Sequence, residues 1–254
     1  MQSLHLSRLS GRIKHLSRQC VDIIWPPHSL LSGKPVKKDD IELWQKLDFL
    51  DLPACHRCGY PFEFEAIKDL ICGACAAKPP VFDHARAAIE YNDASKKLIL
   101  DFKHGGYTDG LNFFAAQLHR VGQNMLQSAD YLVPVPLHRK RLRMRKFNQS
   151  ALLSRKLAKY ANIPYRTDIL ARSKNTPSQG GQSYLGRARN VSGAFKVMPG
   201  AGHKVKNVHI VLVDDVYTTG ATLNACARTL RKAGARQIDV LTLMRVVRPA
   251  TVAK

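Results

Sequence analysis

Acidic residues are scarce in this chain: its 254 residues carry 40 Lys plus Arg against 19 Asp plus Glu, a formal net charge of +21. The shortage is uneven, since residues 131–213 hold seventeen Lys or Arg and a single acid, Asp168. A small anionic substrate does not require such an excess. A field of this kind attracts polyanions, nucleic acid first, and implies steeply salt-dependent binding. Long apolar runs are missing too. No stretch of 18 apolar residues occurs, which argues against a membrane-spanning helix. The phosphate-binding pattern GxxxxGK(S/T) is absent, which removes the P-loop ATPases. Without an internal repeat or low-complexity tract, the length suits one main domain plus a small appendage. Residues 1–20 lack a secretory apolar segment and any acid; Leu6, Leu9, Ile13 and Leu16 recur at helical spacing among Arg8, Arg12, Lys14 and Arg18. That composition also suits an organelle transit peptide, but we read it as a short amphipathic helix or extension of a cytoplasmic protein.

Cysteine is used sparingly and in a pattern. Four of the six cysteines form Cys55-x2-Cys58 and Cys72-x2-Cys75, thirteen residues apart, and Cys20 and Cys226 stand alone. This is zinc-ribbon spacing: each CxxC turns back as a knuckle, with Gly59 and Gly73 expected to supply the turns, so that four thiolates face one structural zinc. Paired disulfides are the alternative, and a chain without an export signal favours a reducing compartment. Four thiolate ligands close the site to catalysis at the metal. Cys226 falls on the apolar face of a predicted helix and is expected in the core.

Residues 208–222, VHIVLVDDVYTTGAT, carry the chemistry. Val208 to Val213 read as a buried parallel strand, and residues 219–233 as a helix with Leu223, Cys226, Ala227, Leu230 and Ala233 on one face. A strand feeding a helix leaves the backbone N–H groups of residues 218–222 converging on one spot, reinforced by the helix dipole, which suits a phosphate. Gly220 allows close approach, and Asp214 and Asp215 can accept from sugar hydroxyls or help hold Mg²⁺. The plain alternative is an ordinary strand, turn and helix with a polar turn.

Elsewhere the pattern predicts a lead-in over 1–52 with a helical stretch at 41–50, a zinc ribbon over 53–80, and a larger domain over 81–254. Pro79-Pro80 marks the boundary. Strands are expected at 85–91, 131–135 and 237–245, and helices at 94–103, 111–125, 151–160 and 184–189. In the helix at 111–125, Leu111, Phe114, Leu118, Val121 and Met125 share a face. Alternating strands and helices make this an α/β fold, a parallel sheet flanked by helices.

The string VLVDDVYTTGAT resembles the phosphoribosyl-pyrophosphate (PRPP) loop of type I phosphoribosyltransferases. The resemblance implies that Asp214 and Asp215 contact ribose hydroxyls, and that Val216, Tyr217, Thr218, Thr219, Gly220, Ala221 and Thr222 cradle the 5′-phosphate. With the ribbon, YNDASKKLILDFKHGG, VPVPLHRKRLRMRKFNQSALLSRKLA and TPSQGGQSYLGRARNVSGAF in order, residues 54–246 resemble the ComF (competence protein F) family of phosphoribosyltransferase-like proteins. That resemblance implies a cytoplasmic protein that binds PRPP with Mg²⁺ and assists in handling incoming single-stranded DNA during natural transformation, with DNA-uptake proteins as partners. Two departures stand out. ComF sequences usually have glycine where this chain has Lys146, and many carry another CxxC pair near the amino terminus, where this chain has only Cys20, so one zinc is expected rather than two.

Six of the nine residues at 138–146 are Arg139, Lys140, Arg141, Arg143, Arg145 and Lys146, followed by Phe147. Such a basic loop can clamp pyrophosphate, can track a DNA backbone with Phe147 as a stacking platform, or can simply be a solvated charged loop. Lys103 resembles the family's lysine near the pyrophosphate; its plain alternative is a surface ion pair. Gln179, Arg187 and Asn190 match the family without a derivable role, and the histidines show no metal-ligand spacing. Three functions follow: a single-strand DNA-handling competence factor, which we favour; an active PRPP-dependent phosphoribosyltransferase, for which no acceptor is assigned; and a PRPP-sensing regulator, for which no helix-turn-helix pattern is found.

Overall fold

β5 (His209–Tyr217) sits between two parallel neighbours, as its unbroken apolar run from Ile210 to Val213 permits. The computed structural model describes residues 45–65, 67–104, 110–174, 191 and 193–247. One compact unit begins at Leu47. Its elements are α1 (Gly73–Ala77), β1 (His84–Glu90), α2 (Asp93–His104), α3 (Leu111–Leu126), β2 (Tyr131–Pro134), α4 (Arg139–Arg145), α5 (Gln149–Ala161), β3 (Leu170–Arg172), β4 (Phe195–Val197), β5, α6 (Ala221–Lys232) and β6 (Gln237–Arg245).

The main sheet is fully parallel in the order β1, β6, β5, β2, with Ile210 opposite Ile238 and Leu212 opposite both Val133 and Val240. The expected parallel sheet flanked by helices is therefore present. α3 and α5 pack against each other on the sheet, and α6 packs beside β4. On the α6 side, alternate strand residues Val133, Ile210, Leu212, Ile238 and Val240 share one apolar cluster with Leu223, Cys226, Ala227 and Leu230, which places Cys226 in the core as expected.

Several expectations need correction. β5 runs to Tyr217 rather than ending at Val213, so both aspartates belong to the strand. Residues 47–50 are not helical: Phe49 bridges Ile89 antiparallel, and Leu50 N–H donates to Ala88 O at 2.9 Å. The open edge of β1 offers backbone partners that outweigh local helical periodicity, and Leu47 and Leu50 gain burial there. In α3 the buried position beside Leu118 is Gly122, not Val121, because a Cβ at Gly122 would lie 2.6 Å from Leu241 Cδ1. The antiparallel pair β3–β4 was not anticipated. The residues 138–146, expected as a loop, hold the short helix α4. The predicted helix at 184–189, with Gln179, Arg187 and Asn190, lies outside the described residues.

Candidate functional site

The carboxyl end of β5 is shaped by hydrogen bonds local to it. Asp214 and Asp215 are successive residues of β5 and are both only partly buried. Asp214 Oδ1 accepts from Ser150 Oγ at 2.9 Å and from the Asp215 N–H at 2.9 Å. Ser150 is held there by Asn148, which caps α5 by accepting from the Ser150 N–H at 3.1 Å and donates from Nδ2 to Val135 O at 3.1 Å. The Phe-Asn-Gln segment thus ties the ends of β2 and β5 to the start of α5.

Beyond the strand, Gly220 adopts φ +73° as the residue preceding α6. A Cβ there would sit 2.8 Å from the Tyr217 ring, so the close approach requires glycine twice, for conformation and for space. Thr219 Oγ1 accepts the Ala221 N–H at 3.4 Å, and Asn224 holds the turn from below, its Nδ2 donating to Gly220 O at 3.0 Å. Thr218 and Thr219 are half-exposed at the mouth, and Val216, Ala221 and Thr222 are also only partly covered. Tyr217 differs: its side chain is buried against the Arg245 guanidinium at 4.3 Å and edge-on to Phe82 at 6.2 Å. Its Cε2, Cζ and hydroxyl oxygen lie close to Gly220. Burial, the largest influence, pushes its phenol well above the usual range.

Cations surround this end of the sheet. Arg172 of β3 is buried with its guanidinium 5.3 Å from the Phe195 ring, and burial, then the charge of Arg141, lowers its pKa, against the pull of Asp214. Neither its role nor that of Ser150 was visible in sequence, where Arg172 is only the end of an apolar Ile-Leu-Ala-Arg run. On α4, Arg139, Lys140, Arg143 and Lys146 are exposed, and Arg141, Arg145 and Phe147 partly buried; no residue of the helix is buried. The one acid of the basic stretch is consumed: Asp168 is forked by Arg166 at 3.0 Å on both oxygens and contacts Lys204 at 2.6 Å. Lys103 falls on the last turn of α2.

The four cysteines converge. Their Sγ atoms all lie within 4.8 Å of one another, with Cys58 and Cys72 at 3.7 Å. A tetrahedral zinc with sulfurs at about 2.3 Å spaces them at about 3.8 Å, so this set can hold a metal such as zinc. The chain supplies the donors a thiolate needs: Cys55 Sγ accepts the N–H groups of Cys72 at 3.2 Å and Cys58 at 3.5 Å. The hydrogen bond from the Cys58 thiol, together with these donors, brings the Cys55 thiol down to about 4, while burial pushes Cys75 up to about 12. Gly59 makes the knuckle turn at φ +68°, and a Cβ there would lie 2.4 Å from Ala85 O. Gly73 does not turn; it starts α1 with open space around it, which corrects its expected role.

The knuckle is built onto the sheet. Cys55, Cys58 and Cys75 share the apolar cluster of Phe82, Tyr217 and Leu223, and the Val81 N–H donates to Asn224 Oδ1 of α6 at 2.7 Å. Arg245, at the end of β6, joins the two regions. Its guanidinium donates to Cys58 O and, at 3.5 Å, to Cys58 Sγ, and it lies over both Tyr217 and Tyr60.

These features can be set beside known proteins. A family model described as a phosphoribosyl transferase domain matches residues 148–252. Competence protein F of Haemophilus influenzae is 31% identical over 198 residues, covering 76% of this chain and 85% of that protein. The chain belongs to the ComF family. Other ComF relatives are DNA utilization protein YhgH of Escherichia coli, 30% identical over 78% of this chain and 86% of that protein, and Competence protein ComFC of Bacillus subtilis, 27% identical over 88% and 90%. The backbone at Lys146 suits the glycine that the resemblance led one to expect there. The residue ends α4 in the left-handed region, φ 65° and ψ −21°, a conformation that glycine adopts freely and that costs a side chain about 1 kcal/mol. This ComF chain keeps the turn and adds a charge. Among the described residues no helix is long and apolar enough to cross a membrane.

Proposed function

We propose that this protein is a ComF-type competence factor that handles incoming single-stranded DNA in the cytoplasm, with a phosphoribosyltransferase-like domain that binds PRPP and Mg²⁺. The observation that carries the DNA reading is the basic stretch at 131–213, whose single acid is already engaged by Arg166 and Lys204 while α4 presents its cations to solvent. Names of relatives, Competence protein F and DNA utilization protein, agree with it. PRPP would be held by Asp214 and Asp215 at the ribose and by the 218–222 turn at the 5′-phosphate, with Lys103 the candidate at the departing pyrophosphate. Mg²⁺ would take the aspartates together with ligand oxygens, since this ion is usually held by one or two carboxylates plus phosphates. Zinc would be held by Cys55, Cys58, Cys72 and Cys75 and would act structurally.

The DNA reading is tested by single-strand affinity as a function of salt. Neutralising Arg141, Arg143, Arg145 and Lys146 should lower affinity and flatten the slope; a flat slope for the unaltered protein sinks the reading. Disruption of the gene should block transformation while DNA still enters the periplasm. The match to a phosphoribosyl transferase domain favours a second reading, transfer of the phosphoribosyl group to a base. Pyrophosphate release with PRPP, Mg²⁺ and a panel of nucleobases separates the two: tight PRPP binding without release for any base rejects the transferase. Asp214→Ala combined with Asp215→Ala should abolish PRPP binding in a folded protein.

A further inference from the structure

A cavity of about 1030 Å³ runs between the cysteine knuckle and the outer face of α6, with Thr218 and Thr219 at one end. Its floor is a helical stripe of α6, in which Ala221, Asn224, Arg228 and Lys232 recur at intervals of three and four. From Ala221 to Lys232 that floor is about 17 Å long, which makes it a channel along the helix rather than a single-ligand pit. Two features define its chemistry. No carboxylate lines it among the described residues, while Lys78, Arg228 and Lys232 are exposed along it and have no ion pair to a described acid. Arg228 and Lys232 are one helical turn apart, about 6 Å along the axis, so they form a row of charge, not a point. The opposite wall carries Tyr60, partly exposed next to the knuckle and held in place under Arg245 at 5.5 Å.

We propose that this groove is a track for single-stranded nucleic acid, in which Lys78, Arg228 and Lys232 follow the phosphates and Tyr60 stacks against a base. It is separate from the basic helix α4, its cations and Tyr60 lie outside residues 131–213, and it leads to the mouth of the candidate PRPP loop. A row of cations beside an aromatic platform, with no acid among the described lining residues, is the arrangement that holds a single strand without reading its sequence.

The inference rests on the single-strand reading above, and the experiment separates the two. Binding of a labelled oligothymidylate is measured by fluorescence anisotropy across a salt series for the unaltered chain, for Arg228→Gln with Lys232→Gln, and for the four-residue α4 neutralisation. Both groove residues are exposed and glutamine is a good helix former, so the fold is retained, which circular dichroism and PRPP titration verify. The groove variant should lose about tenfold in affinity at low salt. Two lost phosphate contacts should flatten the slope of log K against log salt by about 1.4, with PRPP affinity unchanged. Tyr60→Ala should weaken binding about tenfold without altering the slope. Groove variants that match the unaltered chain in affinity and slope, while the α4 variant loses both, overturn the groove and leave the DNA reading intact. An unaltered chain that binds PRPP but no single strand at low salt overturns both.

Discussion

Replacing Arg245 by methionine is expected to loosen the cysteine knuckle and the ligand loop together. The guanidinium is 7% exposed, donates to Cys58 O and Cys58 Sγ, and lies 4.3 Å from the Tyr217 ring centre and 5.5 Å from that of Tyr60. A hydrogen bond from a charged donor contributes about 1.5–3 kcal/mol, and a desolvated cation–π contact about 2 kcal/mol. Against this, methionine fills much of the volume, and the buried Arg245 Nε, which has no hydrogen-bond partner among the described residues, disappears with the side chain. The net loss is therefore about 3 kcal/mol. For a domain of this size that lowers Tm by roughly 6–12 °C. Scanning calorimetry of the zinc-loaded chain measures it, and zinc release to a colorimetric chelator should accelerate in parallel. Lysine at this position should rescue little, because an ammonium cannot fork between a carbonyl and a sulfur while lying flat on a ring. A Tm within 2 °C of the unaltered chain, with zinc release unchanged, refutes the argument that Arg245 couples the two regions.

Gly220→Ala should cost about 1–2 kcal/mol for the left-handed backbone alone, and should weaken PRPP binding at least tenfold because Tyr217 must move; calorimetric titration with PRPP decides it. Metal analysis should find one zinc per chain, and stripping it should expose the apolar residues beside Cys55, Cys58 and Cys75 to a hydrophobic dye, since structural zinc contributes about 10–16 kcal/mol of apparent folding energy. Acid should destabilise the protein through Asp239. Burial alone would raise this carboxyl, but hydrogen bonding from His209 at 2.9 Å, with the neighbouring His84 and Gln237, brings it below the ordinary value. The stability it confers is complete above its unfolded pKa, about 3.9, and is lost as pH falls through the lower folded value. Asp239→Asn should flatten the acid limb of stability against pH.

Much of the architecture was legible from local pattern. The runs at 131–135, 208–213 and 237–245 could be buried strands because β-branched and other apolar side chains dominate them, and α6 announced its core face through Leu223, Cys226, Ala227 and Leu230. The CxxC pairs indicated a four-thiolate cluster, since each brings two sulfurs within one turn of chain. Legibility stopped where a residue's partner was distant. Residues 47–50 carry helical periodicity but pair with β1, and Gly122, with no side chain to register in an apolar pattern, is the point where α3 comes nearest to Leu241.

The same division holds at the candidate site. The order of residues in VDDVYTTGAT requires a strand, a turn at Gly220 and a helix, because strand parity, glycine's conformational freedom and helix capping are properties of adjacent residues. The same order cannot say that Ser150, 64 positions earlier, donates to Asp214, since the neighbouring helix sets that. Nor can it bring Arg245 to Cys58, 187 positions earlier, or aim the cysteine knuckle at α6 to leave a cationic groove between them. Contacts at such separation arise only when burying the apolar face of the sheet forces distant segments into one core, and the coupling of knuckle, loop and groove follows from that packing.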